Sequence, residues 1–268
     1  MPHAASTEIA KPLFSVIVPL HDDRGVALKA IQGWLHQRTT LVPFEIVVVD
    51  SGRPKLARQA AALLDARDQL VCEPSANEAL LYNAGANVAA ADWLVFSESH
   101  VVPCPGAALA LAARLSNSDC DAAVLGTAHG IRSRFAAVDA ELCDRESGAM
   151  RELGLWRSVG LRGFLIRQKT FNALGRFPED YFRFAETALA IRLMESGCRL
   201  EDFSDVILEH FDTDGPSELL CAMAVGRLGA CRFWAAEPRL ARKHFGSASP
   251  SGADGLVDPT VARQIWRE

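Results

Sequence analysis

The chain has 268 residues, 49% of them apolar and 23% charged, enough to bury a sizeable core in one large domain or one domain with appendages. Lysine and arginine number 28 against 33 acids, and the net charge of -5 excludes a general attraction for nucleic acid, so any phosphate-bearing ligand must meet a local patch. The opening "MPHAASTEIAK" lacks the basic and then apolar run of a signal peptide, and no stretch approaches about 18 uninterrupted apolar residues, so the expected location is cytoplasmic. The seven cysteines form no C-x-x-C pair and read as small core hydrophobes in a reducing compartment.

In chain order, "FSVIVPL" (14–20) is a near-continuous apolar strand, followed by helical spacing from Gly25 to Gln37. "FEIVVVD" (44–50) is a second strand, and Pro54 opens an amphipathic helix over "PKLARQAAALLDARDQ" (54–69). A short strand "QLVCE" and the helix "NEALLYNAGANVAA" come next, then the strand "DWLVFSE", the helix "GAALALAARL" and the strand "DAAVLGT". Unbroken apolar strands are buried on both faces, which predicts an α/β fold with a mostly parallel central sheet flanked by helices. Residues 128–158 are densely charged and read either as an exposed helix or as a mobile loop over a ligand site, with Trp156 able to stack on a ring. "SELLCAMAVGRLGACRFWAAEPRLARKHFG" predicts an amphipathic helix followed by the basic Arg239, Arg242 and Lys243, a segment that either packs on the domain or lies on an anionic membrane.

In open α/β sheets ligands bind beyond the carboxyl ends of the strands. Those ends are polar here: His21, Asp22 and Asp23 after the first strand, Asp50 at the second, and Glu98-Ser99-His100 in "WLVFSESHVVP". Neither G-x-G-x-x-G after the first strand nor a P-loop is present, so phosphate charge must be met differently. If strand geometry persists, Glu98 and His100 point to one side and can hold a cation between them, and such an oxygen and nitrogen pair suits a divalent ion shared with a diphosphate.

Over residues 12–212, "FSVIVPLHDD", "FEIVVVDSG", "NAGANVAAADWLVFSESH" and "GFLIRQKTFNALGRFPEDYFRFAETALAIRLMESG" resemble family 2 glycosyltransferases of the GT-A fold. The resemblance implies transfer of a sugar from a nucleotide-diphosphate sugar, a UDP-sugar favoured, to a glycan or lipid-linked acceptor. It places the nucleotide sugar on Pro19, Leu20, His21, Asp23, Asp50, Asn83 and Gly85, with Tyr82 standing where the family usually has arginine. The family's Asp-x-Asp is Glu98-Ser99-His100 here, similar to the Asp-x-His motif of polypeptide N-acetylgalactosaminyltransferases. That implies a divalent ion, Mn2+ or alternatively Mg2+, on Glu98, His100 and a later ligand, His210. "AETALAIR" puts Glu186 at the general-base position, and a single displacement with one base implies inversion, although the metal motif resembles that of a retaining family.

The resulting organisation is an N-terminal tail (1–11), a GT-A domain (12–215) with a nucleotide half (12–103) and an acceptor half (104–215), a helical extension (216–245) able to touch the inner face of a membrane, and a flexible tail (246–268). Two other readings share these residues. A protein of the same fold that binds nucleotide or sugar without turnover is compatible with the altered metal motif and Tyr82. A nucleotidyltransferase would need a glycine- and lysine-rich loop after the first strand, which "PLHDDRG" does not supply.

Overall fold

The structure, a computed structural model, describes residues 11–246, so the two predicted tails lie almost entirely outside it. Eight strands form one sheet in the order β3-β2-β1-β4-β7-β6-β8-β5. They are β1 (Ser15–Leu20), β2 (Glu45–Asp50), β3 (Gln69–Cys72), β4 (Trp93–Phe96), β5 (Val101–Pro103), β6 (Ala122–His129), β7 (Phe164–Arg167) and β8 (Leu200–His210). The helices are α1 (Ala27–Leu35), α2 (Pro54–Ala61), α3 (Glu78–Val88), α4 (Ala107–Asn117), α5 (Arg134–Leu153), α6 (Gln168–Ala173), α7 (Ala185–Glu195), α8 (Pro216–Ala236) and α9 (Pro238–Phe245), with 3-10 turns at Leu155–Ser158 and Glu179–Phe184.

Strands β1, β2, β3 and β4 run parallel, as do β6 and β8, whereas β7 is antiparallel to both of its neighbours and β5 to β8. The alternation within β1 shows why both faces are covered. Val16, Val18 and Leu20 join α1, α2 and α4 in one apolar cluster, and Ile17 joins α3 and α7 in the other. Gly85 is where α3 meets the sheet most closely: a Cβ there would stand 2.4 Å from Ile17 Cγ2 and 3.0 Å from Val49 Cγ2.

Several expectations are corrected. The strand predicted to run to Glu98 ends at Phe96, and residues 97–100 turn into β5, a three-residue strand too short for any periodicity to announce. The helix opened by Pro54 stops at Ala61. The predicted C-terminal helix ends at Ala236, and the basic residues after it lie on a second helix, α9, because a proline at 238 has no N–H to continue α8. All seven cysteines are free, but only Cys120 is buried; Cys72, Cys221 and Cys231 are exposed, so the core-hydrophobe reading holds for one of them. Trp156 packs against His244 and Phe245 with Arg157 over its ring, anchoring α9 rather than lining a sugar site. Among the described residues α8 alone has the length and apolar content to cross a membrane.

Candidate active site

The turn after β4 is built by its own backbone. Ser97 N–H continues the sheet to the Ile17 carbonyl, Glu98 N–H donates to the Leu161 carbonyl at 3.1 Å, and Val101 N–H returns to the Glu98 carbonyl at 3.0 Å. Strand β5 then pairs with the end of β8, with Val101 opposite His210. That register brings His100 and His210 together, their ring centroids 4.9 Å apart.

Glu98, His100 and His210 thus form one cluster, each with a potential ligand atom within 4.8 Å of the others. Each histidine is held by its other nitrogen. His100 Nδ1 lies 2.6 Å from the Asp22 carbonyl, which can only accept, so Nδ1 donates there and Nε2 faces Glu98 Oε2 at 3.3 Å. His210 Nδ1 lies 2.9 Å from Asp212 Oδ1, and its Nε2 is 3.6 Å from the same Glu98 oxygen. Glu98 Oε2 and His100 Nε2 are buried without a hydrogen-bond partner, an arrangement that is costly as it stands and that a cation would satisfy. One carboxylate oxygen and two imidazole nitrogens are a donor set that fits a divalent metal ion.

The electrostatics agree. Burial acts to raise the Glu98 carboxyl, but its interactions with His100, His210 and Arg183 outweigh it and hold Glu98 well below the usual range. Burial, with Arg162 nearby, pushes His210 down to about 4 against the pull of Asp212, leaving its imidazole neutral at physiological pH. Asp212 is fully buried, and its second oxygen lies 2.7 Å from His129 Nδ1, while His129 Nε2 lies 3.0 Å from Asp144 Oδ1. A chain of alternating acids and imidazoles therefore runs outward from the cluster to the surface.

Glu186 sits in the first turn of α7, where its Oε2 accepts from Leu161 N–H at 3.0 Å. Burial, reinforced by the Glu98 charge, pushes its carboxyl up to about 8, against the Leu161 hydrogen bond and Arg183. Arg183, in the 3-10 turn before α7, pairs with Glu78 at 3.2 Å and stands 3.9 Å from Glu98 Oε1. Its predecessor Phe182 holds φ 47°, a left-handed conformation unusual for an aromatic residue.

Two cavities flank these groups. One of about 250 Å³ is lined by His21, Asp22, Asn77, Glu78 and Arg183, with Glu218, Cys221 and Val225 of α8 as one wall. The other, about 300 Å³, lies beside α5 and is lined by His129, Asp144, Arg162 and Gly160 among others.

Of the residues expected at the nucleotide, His21 reaches the first cavity. Pro19 and Leu20 end β1 beside it. Asp23 pairs with Arg53, and Asp50 Oδ1 accepts from the N–H groups of Gly52 and Arg53, shaping the loop after β2. Asn83 and Gly85 differ from expectation. The Asn83 amide bonds both the N–H and the carbonyl of Phe177, and Gly85 is spent on close packing, so the cavity is met by Asn77 and Glu78 at the start of the same helix. Tyr82 turns into the core against Phe96 and Phe177. Arg162, Arg183, Asp212 and His129 were not singled out from sequence; they lie in or beside loops, where no periodicity marks them.

The model of glycosyl transferase family 2 matches residues 15–171. No curated protein sequence matches the chain. Among solved structures the chain is similar to S. aureus TarS 1-349 in complex with UDP-GlcNAc, at 16% identity and a TM-score of 0.59 over 86% of this chain and 69% of that one. It is similar to TarS 1-349 alone at 13% identity and a TM-score of 0.57, over 85% and 74% of the respective chains. The likeness to the longer TarS structure, at 17% identity and a TM-score of 0.57, covers 86% of this chain but 41% of that one. At these identities the likeness is one of fold, the GT-A arrangement.

Proposed function

The chain belongs to glycosyl transferase family 2, and we propose that it moves a sugar from a nucleotide-diphosphate sugar to an acceptor hydroxyl with Glu186 as general base and inversion of configuration. The observation that carries this reading is the convergence of Glu98, His100 and His210 on one point, with Glu186 tied to the same turn through Leu161. The cavity bounded by His21, Asp22 and Arg183 is the donor side. A UDP-sugar is favoured because TarS, which shares the fold, has been crystallised with UDP-GlcNAc and with UDP.

Glu98, His100 and His210 would hold a divalent ion, Mn2+ in this reading and Mg2+ as the alternative. When bound, it stabilises the negative charge that develops on a leaving diphosphate without proton transfer. The rest is done by the chain. The acceptor oxygen bonds to the anomeric carbon as the bond from that carbon to the diphosphate breaks, the electron pair leaving with the diphosphate. The acceptor's proton passes to Glu186, whose carboxyl, pushed up to about 8, lies in the range of an effective base near neutral pH. The reading also includes a cytoplasmic enzyme whose α8 and α9 rest on the inner face of a membrane, where a lipid-linked acceptor would be found.

The test is a thermal-shift panel of UDP, GDP, dTDP and CMP, each with and without Mn2+. A nucleotide at about 100 times its dissociation constant adds about 2.7 kcal/mol, a shift of several degrees. One nucleotide stabilising the protein only with Mn2+ supports the reading and identifies the donor class. No shift with any of them in folded protein overturns it.

A further inference from the structure

We propose that the cavity beside α5 is the acceptor site, and that Arg162 there binds an anionic group, a carboxylate or a phosphate, carried by a hydroxylated acceptor. This rests on the glycosyltransferase reading and adds the chemical class of its second substrate.

The cavity, about 300 Å³, is at the lower end of the range for small-molecule clefts. Its wall joins the proposed base directly. Leu161, whose N–H binds Glu186 Oε2 at 3.0 Å, lies between the lining residues Gly160 and Arg162, and a Cβ on Gly160 would stand 4.0 Å from that same oxygen. A hydroxyl presented from this side therefore approaches Glu186 across a residue without a side chain.

The charge of the wall decides what else the ligand carries. Arg162 donates to the Cys143 sulfur at 3.4 Å, and among the described residues no carboxylate oxygen lies within ion-pair distance of its guanidinium. Of the acids that act on it at longer range, Glu98 and Asp212 are already engaged with His100, His210 and His129, and burial pushes the Glu146 carboxyl up, toward its neutral form. The other charges in the wall are matched: Arg151 pairs with Asp202, and Asp144 lies 3.0 Å from His129 Nε2. An enclosed guanidinium whose hydrogen-bond partner is a thiol, with no carboxylate at ion-pair distance, keeps a planar fork that suits a carboxylate or phosphate. Ser158 Oγ lines the same cavity and is buried with no partner, and Ser147 and Thr127 add hydroxyls, so the wall offers the mixed donors and acceptors that a polyol needs.

The experiment is a ligand-observed NMR titration of the full chain with four probes: D-glucuronate, glycerol 3-phosphate, and their neutral counterparts D-glucose and glycerol. We expect one or both charged probes to bind, each about tenfold or more tighter than its neutral counterpart, with the advantage lost in Arg162→Met. Binding of glucuronate alone assigns a carboxylated acceptor, and of glycerol 3-phosphate alone a phosphorylated one. Ser147→Glu, on the exposed face of α5, should weaken the charged probes without touching the core, and it decides the matter if Arg162→Met does not fold. Charged probes no tighter than neutral ones, or charged binding unmoved by Ser147→Glu and by folded Arg162→Met, overturns the proposal. The UDP and Mn2+ thermal shift is recorded on the same samples. A normal nucleotide shift without an anion preference removes this inference alone, whereas anion binding without any nucleotide shift removes the donor reading instead.

Discussion

The amide of Leu161 donates to Glu186 Oε2 at 3.0 Å, and the carbonyl of the same residue accepts from the amide of Glu98 at 3.1 Å. One loop residue thus fixes the proposed base relative to the proposed metal turn, although the two acids are far apart in sequence. The G-L-R-G segment allows this because its last glycine packs closely against side chains of β6 and β8. A Cβ on Gly163 would stand 3.0 Å from Leu125 Cβ and 3.0 Å from Leu208 Cδ1. The position of Glu186 is therefore set by main-chain packing, which an isosteric change of its side chain leaves intact.

Glu186→Gln should lower transfer by about 10²–10⁴-fold while leaving the nucleotide-induced thermal shift unchanged. The same variant reports the environment of the carboxyl. Burial pushes this carboxyl up to about 8, above its ordinary value near 4.5, so between these values the folded state holds more protons than the unfolded state. Stability contributed by the neutral form is fully present at low pH and is lost as pH rises through that window. Denaturation of the metal-free protein as a function of pH should show this decline, and Glu186→Gln should flatten it. Full transferase activity in the variant would remove Glu186 from the mechanism.

The α/β class was legible because β1, β2 and β4 are continuous apolar runs, and the residues of the proposed metal site could be named because they close such runs. What brings them together was not legible. Glu98 and His100 do not share a strand face; they meet through a turn, and His210 reaches them because Val101 is registered opposite it in a three-residue strand. Pairing between distant short strands leaves no local pattern. Asn83 and Gly85 show the converse, since they sit where the resemblance puts them but are taken up by the Phe177 loop and by Ile17. Arg162 was invisible for a third reason: an arginine in a loop becomes informative only when its lack of a carboxylate partner can be seen.

Asp212 fixes the His210 tautomer and ring from behind, so Asp212→Asn should weaken Mn2+ binding in the presence of nucleotide by about 10–100-fold, as outer-sphere partners of ligating histidines do. Calorimetric titration of Mn2+ into the nucleotide-saturated protein measures it directly. An affinity equal to that of the parent protein would mean that His210 does not ligate the ion or does not need Asp212 to do so.

Gly85→Ala should destabilise the protein by about 1–3 kcal/mol, because its Cβ has no room against Ile17 and overpacking displaces either α3 or β1. Gly226→Ala is the matched control. A Cβ there meets nothing within 4 Å and α8 is helical at that point, so the substitution should stabilise by about 0.4–1 kcal/mol. Urea denaturation should show the two midpoints moving in opposite directions at constant slope. A neutral Gly85→Ala would mean that the contact between α3 and the sheet yields more easily than its spacing indicates.

The last prediction concerns the two faces of α8. Its inner face is fastened: Phe233 meets Tyr181 edge to face and Phe184 at a tilt, at centroid distances of 5.5 and 5.1 Å, and a Cβ on Gly229 would collide with the Tyr181 carbonyl. Its outer face leaves Leu220 49%, Met223 37% and Leu228 47% exposed, and the following α9 carries the exposed Arg239 and Arg242. Apolar side chains beside cations fit an anionic bilayer surface better than water or a neutral one. The full chain should therefore co-sediment with vesicles containing phosphatidylglycerol, weakly with pure phosphatidylcholine, and less as salt rises. Each basic residue near such a surface is worth about 1 kcal/mol, so Arg239→Glu with Arg242→Glu should reduce binding by about tenfold or more. Leu220→Ser with Leu228→Ser should weaken it while preserving the salt dependence. No binding to anionic vesicles at low salt would show that this face does not meet a membrane, and would leave the acceptor to be sought among water-soluble glycans.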